Sequence, residues 1–322
     1  MTILVTGSAG HLGEALMRSL RAAGRPAIGV DVAPSPYTDC IGSICDREFV
    51  RRSLRRGVGA IVHAAALHKP HVATHTHKDF VATNITGTLI LLEEAVTAGV
   101  QSFVFTSTTS AFGSALTPAA GEAAAWVTEN VVPIPKNIYG VTKLAAESLC
   151  ERFHRAQHLP TVVLRTSRFF PEADDNASIR ENYALANAQA NEMLNRRVDI
   201  EDVVAAHLLA LERACDIGFG RYIISATTPF TRDDILALRG RAQEVVYRLF
   251  PECEAVFAAR GWRSFSDIDR VYVNHVAMAE LGWRPKYDFQ YVLERLRAGK
   301  DFRSPLACEV GSKGYHASAL RL

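Results

Sequence analysis

"TILVTGSAGHLGEALMRSLRAAG", residues 2–24, decides the architecture. Thr2 to Thr6 is a short apolar run of strand type, and residues 11–24 follow a helical pattern that Gly24 ends. Between them Gly7, Gly10 and Gly13 fall in a G-x-x-G-x-x-G spacing. A strand that turns through glycines into a helix lets the backbone approach a diphosphate, whose charge rests on the helix N-terminus. The same glycines would also serve simply to let a helix pack closely on a strand. A second strand, "PAIGVDV" (26–32), carries Asp31, 24 residues after Gly7. That offset suits a carboxylate accepting bonds from both adenosine-ribose hydroxyls. It would repel a 2′-phosphate, and no Arg follows in "VAPSPY", so NAD is preferred over NADP. The bland alternative for Asp31 is a turn residue at a strand end. The candidate cofactor residues of this stretch are Gly7, Ala9, Gly10, His11, Leu12, Gly13 and Asp31.

The same rhythm continues. Helices are expected at 46–57, 85–100 and 138–156, and strands at 60–66, 102–108 and 161–167. Strands alternating with helices of this length predict an α/β fold with a doubly wound parallel sheet. After residue 168 the pattern breaks. A polar and then helical segment runs to 197, a short strand and a helix are expected over 198–214, and a further strand over 220–226. From 227 the chain reads as mainly helical, broken by Pro229, Pro251, Pro285 and Pro305. The expected division is a nucleotide-binding domain over 1–167, completed by 198–226, with a smaller, mainly helical C-terminal substrate lobe from 168–197 and 227–322.

Composition bounds the function. The 322 residues are 48% hydrophobic and 22% charged, with net charge +2 and no long run of one sign. A large core follows, and nucleic acid is a poor partner. The six cysteines form no C-x-x-C pair, as in a protein with reduced thiols. No apolar run reaches the ~18–20 residues that span a bilayer. Met1 leads straight into a strand, so no membrane partner and a cytoplasmic location are expected.

"NIYGVTK" (137–143) places Tyr139 and Lys143 four residues apart, on one face of a helix. A phenol is a poor base at neutral pH, its pKa being near ~10. An ammonium ~4 Å away is worth ~4 kcal/mol at an effective dielectric of ~20. That corresponds to roughly three pKa units, and would bring Tyr139 towards neutrality before desolvation opposes it. Tyr and Lys at this spacing are also common by chance.

Several further stretches occur in order: "TGSAGHLG", "HAAA" (63–66), "TNITGT" (83–88), "FVFTSTTSAFG" (103–113), "ENVVPIPKNIYGVTK" (129–143) and "LGWRPKYDF" (281–289). With these the chain resembles the extended short-chain dehydrogenase/reductases, the group holding NAD-dependent sugar-nucleotide epimerases and dehydratases, with a Rossmann fold. The resemblance covers residues 2 to about 167 and resumes at 198–213 and 271–285. It implies that Tyr139 is the general base or acid, that Lys143 holds the nicotinamide ribose, that Thr108 bonds the reacting oxygen, and that Asn84 holds the active-site helix. It implies that Ala64, Ala65 and Ala66 lie along the cofactor, and Thr106, Ser107 and Thr166 near the nicotinamide. Ser43 stands where the family has an Asp at the adenine, which leaves that contact to the Ile44 backbone. A homodimer through the helices at 85–100 and 138–156 is implied as well.

The implied reaction is oxidation of a secondary alcohol by hydride transfer to NAD, followed by epimerisation or by product release. Dehydration is disfavoured, because neutral Thr109 and Ser110 stand where the family's dehydratases carry an Asp-Glu pair. "LRTSRFFP" puts Arg168 in the family's Asn position, and "VDIED" puts Asp199 in place of a His. With only residues 172–197 between, the insert is short for a nucleotide. The expectation is a sugar or sugar-like, acidic small molecule met by His68, Thr109, Arg168 and Arg197. Alternatives are a UDP-sugar 4-epimerase, a simple dehydrogenase and a non-catalytic NAD-binding regulator. Arg180 and Arg196 read as surface charge. Of His68, His71, His75 and His77, His68 or His71 could line the cleft, the plain alternative is surface histidines, and no metal is expected. His63 reads as a core histidine.

Overall fold

The computed structural model describes residues 1–174 and 176–314; the last eight residues of the expected lobe lie outside them. The strands are β1 (Thr2–Thr6), β2 (Ala27–Asp31), β3 (Cys40–Ile41), β4 (Val58–His63), β5 (Ser102–Thr108), β6 (Ala125–Val127), β7 (Thr161–Thr166), β8 (Phe219–Ile224) and β9 (Arg270–Tyr272). The helices are α1 (His11–Ala22), α2 (Arg47–Leu54), α3 (His77–Phe80), α4 (Gly87–Thr97), α5 (Ile138–Gln157), α6 (Ala177–Asn182), α7 (Leu185–Glu192), α8 (Ile200–Ile217), α9 (Leu238–Leu249), α10 (Cys253–Ala258), α11 (Phe289–Arg297) and α12 (Pro305–Val310).

Seven strands form one parallel sheet in the order β3-β2-β1-β4-β5-β7-β8. Successive residues of a strand face opposite ways, and here both faces are apolar. Ile3, Val5, Val62, Val104, Val162 and Leu164 pack under α1 and α8. Leu4, Ile61, Phe103, Phe105 and Val163 pack under α2, α4 and α5. Burial on both faces is what a parallel sheet requires, and it makes this a doubly wound Rossmann-type fold.

A second apolar cluster is built from α7, α9, α10 and α11, around Leu194, Phe257, Phe289 and Val292. The late chain does not stay with it. Ala277, Leu281, Trp283 and Val310 return to the α1–α8 face of the sheet, and Trp283 Nε1 donates to the Asp202 carbonyl at 3.0 Å.

Three local readings are corrected. Residues 198–200 are no strand: a single bridge joins Arg168 and Arg197, and Asp199 caps α8 by accepting from Glu201 N at 2.8 Å. An Asp side chain satisfies a helix N-terminus better than it serves a strand. The short parallel pair β6–β9 joins segments 145 residues apart (Ala125 with Arg270), a pairing that no local pattern announces. Finally, α4 begins as a wide turn over Val81–Thr86, in which Gly87 N–H reaches back five residues to Ala82 O.

Phe257 is fully buried in the second cluster. Phe257→Ala is expected to cost about 3–5 kcal/mol, read as a lowered urea unfolding midpoint.

Candidate functional site

The glycine turn is closed by contacts that leave no room for side chains. A Cβ on Gly13 would lie 1.9 Å from Gly7 O, and Gly7 itself sits at φ +75 with a Cβ position 2.8 Å from Ala65 N. The α1 N-cap is Gly10, which offers no side-chain oxygen to the first N–H groups of the helix. Asp31 accepts from Ala9 N at 3.0 Å and from Ala33 N at 2.9 Å, so its carboxylate stands at the lip of the turn. A backbone cradle at the start of a twelve-residue helix, with a carboxylate beside it, fits a dinucleotide diphosphate and ribose. Ser43 Oγ accepts from Cys45 N at 3.1 Å. Ile44 turns its side chain into the core against Gly87.

His63 is a core residue. Nδ1 lies 2.8 Å from Thr6 Oγ1 and Nε2 2.9 Å from Thr88 Oγ1. Thr88 Oγ1 donates to Asn84 O and Thr6 Oγ1 accepts from Ala65 N, so the ring is neutral with its proton on Nε2. Burial, with help from the Lys143 charge, lowers its pKa to about 3.

A cavity of about 450 Å³ opens at the carboxyl ends of β4, β5 and β7. Ala64, Ala66, His68, Thr108, Thr109, Tyr139, Lys143, Thr166 and Arg168 all line it. Two hydroxyls of β5 turn to other partners. Thr106 Oγ1 is 2.8 Å from Nε2 of His207, whose Nδ1–H goes to Val203 O, so Thr106 donates. Ser107 Oγ donates to Glu147. Thr108 is nearly buried, and its Oγ1 accepts from Ser110 N at 3.1 Å. Asn84 sits in the wide turn before α4. It accepts from Leu67 N at 2.8 Å and donates to Leu67 O and Thr142 Oγ1, tying the loop after β4 to α5.

Asn137 caps α5 by accepting from Gly140 N at 3.0 Å, which fixes the phase of the helix. Tyr139 and Lys143 then face the cavity together, both buried. Lys143 Nζ donates to Thr106 O at 2.6 Å and lies 4.0 Å over the Phe105 ring. Burial drags the Lys143 pKa to about 7, against the carboxylate of Glu147. The His68 ring lies tilted 6.0 Å from Tyr139 and edge-on 5.7 Å from Phe170. Burial first, and then the Lys143 charge, lower its pKa to about 3. It therefore meets the cavity as a neutral ring.

The expected substrate arginines divide. Arg168 lines the cavity, but its Nη2 donates to Glu172 O at 2.7 Å and Ala173 O at 2.6 Å. Arg197 is not among the residues lining this cavity. Its Nε donates to Glu192 at 2.9 Å and its Nη groups to Phe170 O, because a buried guanidinium must find carboxylate and carbonyl partners. Arg196 is no surface charge: it lies on the cavity wall, between Asp174 at 2.6 Å and Glu192 at 2.8 Å. Arg180 is exposed and donates to Asp174 O. The His11 ring lies edge-on to Phe170, with Nε2 3.0 Å from Glu172 and 3.1 Å from Lys313 N. Asp269, just before β9, and Arg270 and Tyr272 of β9 complete the wall, and nothing local in the sequence marked them. Among the described residues no three His, Cys, Asp or Glu side chains converge on a metal position, and no helix is long and apolar enough to cross a membrane.

The model of the NAD dependent epimerase/dehydratase family matches residues 3–223. The chain belongs to that family. It is 32% identical over 170 residues to an uncharacterized protein, y4nG, of Sinorhizobium fredii, covering 51% of this chain and 40% of that protein. It is 27% identical over 328 residues to a UDP-glucose 4-epimerase of Rhizobium leguminosarum bv. trifolii, covering 91% and 95%. A short-chain dehydrogenase/reductase superfamily protein from Agrobacterium tumefaciens, solved with bound NAD, superposes with a TM-score of 0.64 at 25% identity, covering 96% and 99%. The match to y4nG and those to three further curated relatives span about half the relatives' own length, 40–55%.

Two outcomes follow. Gly13→Ala forces α1 off the Gly7 carbonyl, and NAD binding by calorimetry is expected to weaken by more than about tenfold, about 1.4 kcal/mol. Glu172 also holds the 311–314 segment, through Ser312 Oγ at 2.7 Å and Gly314 N at 3.3 Å. Burial raises its pKa, but the bonds from His11 and Ser312 prevail and bring it to about 2. A lowered carboxylate pKa contributes stability above its ordinary value of 4.5. Hydrogen-exchange protection at Gly314 is expected to be lost as pH falls from 4.5 towards about 2, and to lose that pH dependence in Glu172→Gln, whose amide oxygen accepts without titrating.

Proposed function

We propose that this chain is an NAD-dependent oxidoreductase or epimerase acting on a secondary alcohol of a sugar-like substrate. One observation carries the reading: Thr108, Tyr139 and Lys143 share the wall of the cavity that opens beside Ala64 and Ala66. The glycine turn, the α1 N-terminus and Asp31 would hold the diphosphate and ribose, with Ser43 and the Ile44 backbone towards the adenine. NAD, when bound, supplies the acceptor for the carbinol hydrogen.

The chain's own residues handle the proton. Tyr139 takes the hydroxyl proton and returns it, Thr108 orients the reacting oxygen, and charged Lys143 lowers the cost of the phenolate. Neutral His68 offers a polar edge to the substrate without competing as a base. Thr109 and Arg168 stand on the substrate side. Asn84 keeps α5 in place through Thr142. The helical cluster, with β9, forms the substrate lobe. A homodimer through α4 and α5 is proposed on the family resemblance. A second reading, a UDP-sugar 4-epimerase, is favoured by the near full-length match to a UDP-glucose 4-epimerase.

A panel of sugars, sugar acids and UDP-sugars, followed by NADH absorbance and product stereochemistry, separates the readings. Tyr139→Phe is expected to lower turnover by about 10²–10⁴-fold without loss of NAD binding; wild-type turnover in that variant refutes the reading. Arg168→Ala is expected to raise KM for an acidic substrate, and an unchanged KM removes Arg168 from recognition.

A further inference from the structure

Tyr139, Lys143 and Glu147 follow one another at four-residue steps along α5, all three buried. Glu147 is the only one of the three without a place in the chemistry above. Its carboxylate gathers groups from three strands. Ser107 of β5 donates to Oε1 at 2.5 Å. Arg165 of β7 donates to both oxygens, with Nη2 at 2.7 Å from Oε2. Arg221 of β8 stands 3.5 Å away and is itself paired with Glu151.

We propose that Glu147 is a positioning residue for the acid–base pair: it pins α5 to the strand that carries Thr108, and its charge keeps the buried Lys143 protonated. The inference rests on the Tyr139–Lys143 reading above. The groups that touch Lys143 favour its ammonium by dipole and ring face, but none of them brings a formal negative charge. The Phe105 ring and the Thr106 carbonyl touch it, and His63 and His68 are both held neutral. Buried Cys150, on the same helix, is raised by burial and stays a thiol. Glu147 is the one carboxylate acting on Lys143 from within this layer. Arg165 and Arg221, behind it, would add repulsion once Glu147 were neutral.

A purely structural ion pair makes a different prediction from a charge that acts on Lys143, and the Tyr139 phenol reports the difference. Its titration is read by ultraviolet difference absorption against Tyr139→Phe. Glu147→Gln leaves two guanidinium groups uncompensated and can fail to fold, so two companions are used. Arg165→Met breaks the ion pair but keeps the Glu147 charge. Glu147→Gln/Arg165→Met removes both charges together. Loss of one opposite charge nearby shifts a pKa by about one unit or more. The Tyr139 midpoint is therefore expected to stay put or fall in Arg165→Met, and to rise by about one unit or more in the double variant, as it does in Lys143→Met. Equal midpoints in Arg165→Met and the double variant, both folded by circular dichroism, overturn the proposal. A wild-type Tyr139 that does not titrate below the ordinary phenol range overturns instead the acid–base reading on which it rests.

Discussion

The contact between Gly13 and the carbonyl of Gly7 sets the rest of the structure. It brings α1 down onto β1 until no side chain fits between them. Only at that distance can Leu12, Leu16 and Leu20 join Ile3 and Val5 in one apolar layer with α8. The same approach points the start of α1 at the carboxyl edge of the sheet. There the order β2-β1-β4 reverses the direction in which the chain winds. A cleft at that edge follows from topology. Its lining comes from residues that end β4, β5 and β7 and from Tyr139 and Lys143 of α5.

This cleft sets the neutral ring of His68 among charged wall residues, Arg168, Asp174, Arg196, Asp269 and Arg270. His63 and His68 are held neutral by burial and by the Lys143 charge, and Lys143 itself is drawn towards neutrality. Further charges pair outside the cavity lining, Glu147 with Arg165 and Glu192 with Arg197. Such pairs add little net stability, since desolvation offsets attraction. They do fix side chains: Arg197 holds the Phe170 carbonyl, and so the loop that carries Phe170 to His68.

Much of this was legible in the sequence because the decisive signals are local. The glycine turn, Asp31 and the four-residue step from Tyr139 to Lys143 each lie within one supersecondary unit, and short apolar runs marked the strands. What escaped depends on distance. The β6–β9 pair joins residues 125 and 270, and brings Arg270 and Tyr272 to a cavity that their own neighbourhood does not suggest. Arg196 and Arg197 are adjacent, yet one lines the cavity and the other is sealed beneath it, which no pattern of charge distinguishes. Glu147 did carry a signal, the third step of the same helical column, but a buried acid needs its partners to be understood, and those lie on β5, β7 and β8.

The wide turn before α4 has a consequence for how the helix serves two surfaces. An α-helix advances about 100° per residue, so an added residue in one turn is a phase slip. Ahead of the slip the side chains are registered to the loop after β4 and to α5, where Asn84 binds Leu67 and Thr142. Beyond it they are registered to the sheet, where Ile90, Leu91 and Leu92 are buried. A continuous helix of one phase would satisfy one registry and misalign the other. The irregularity is thus a gear change between the site and the core, and losing one residue there would turn Asn84 away from its partners while leaving the apolar face of α4 intact.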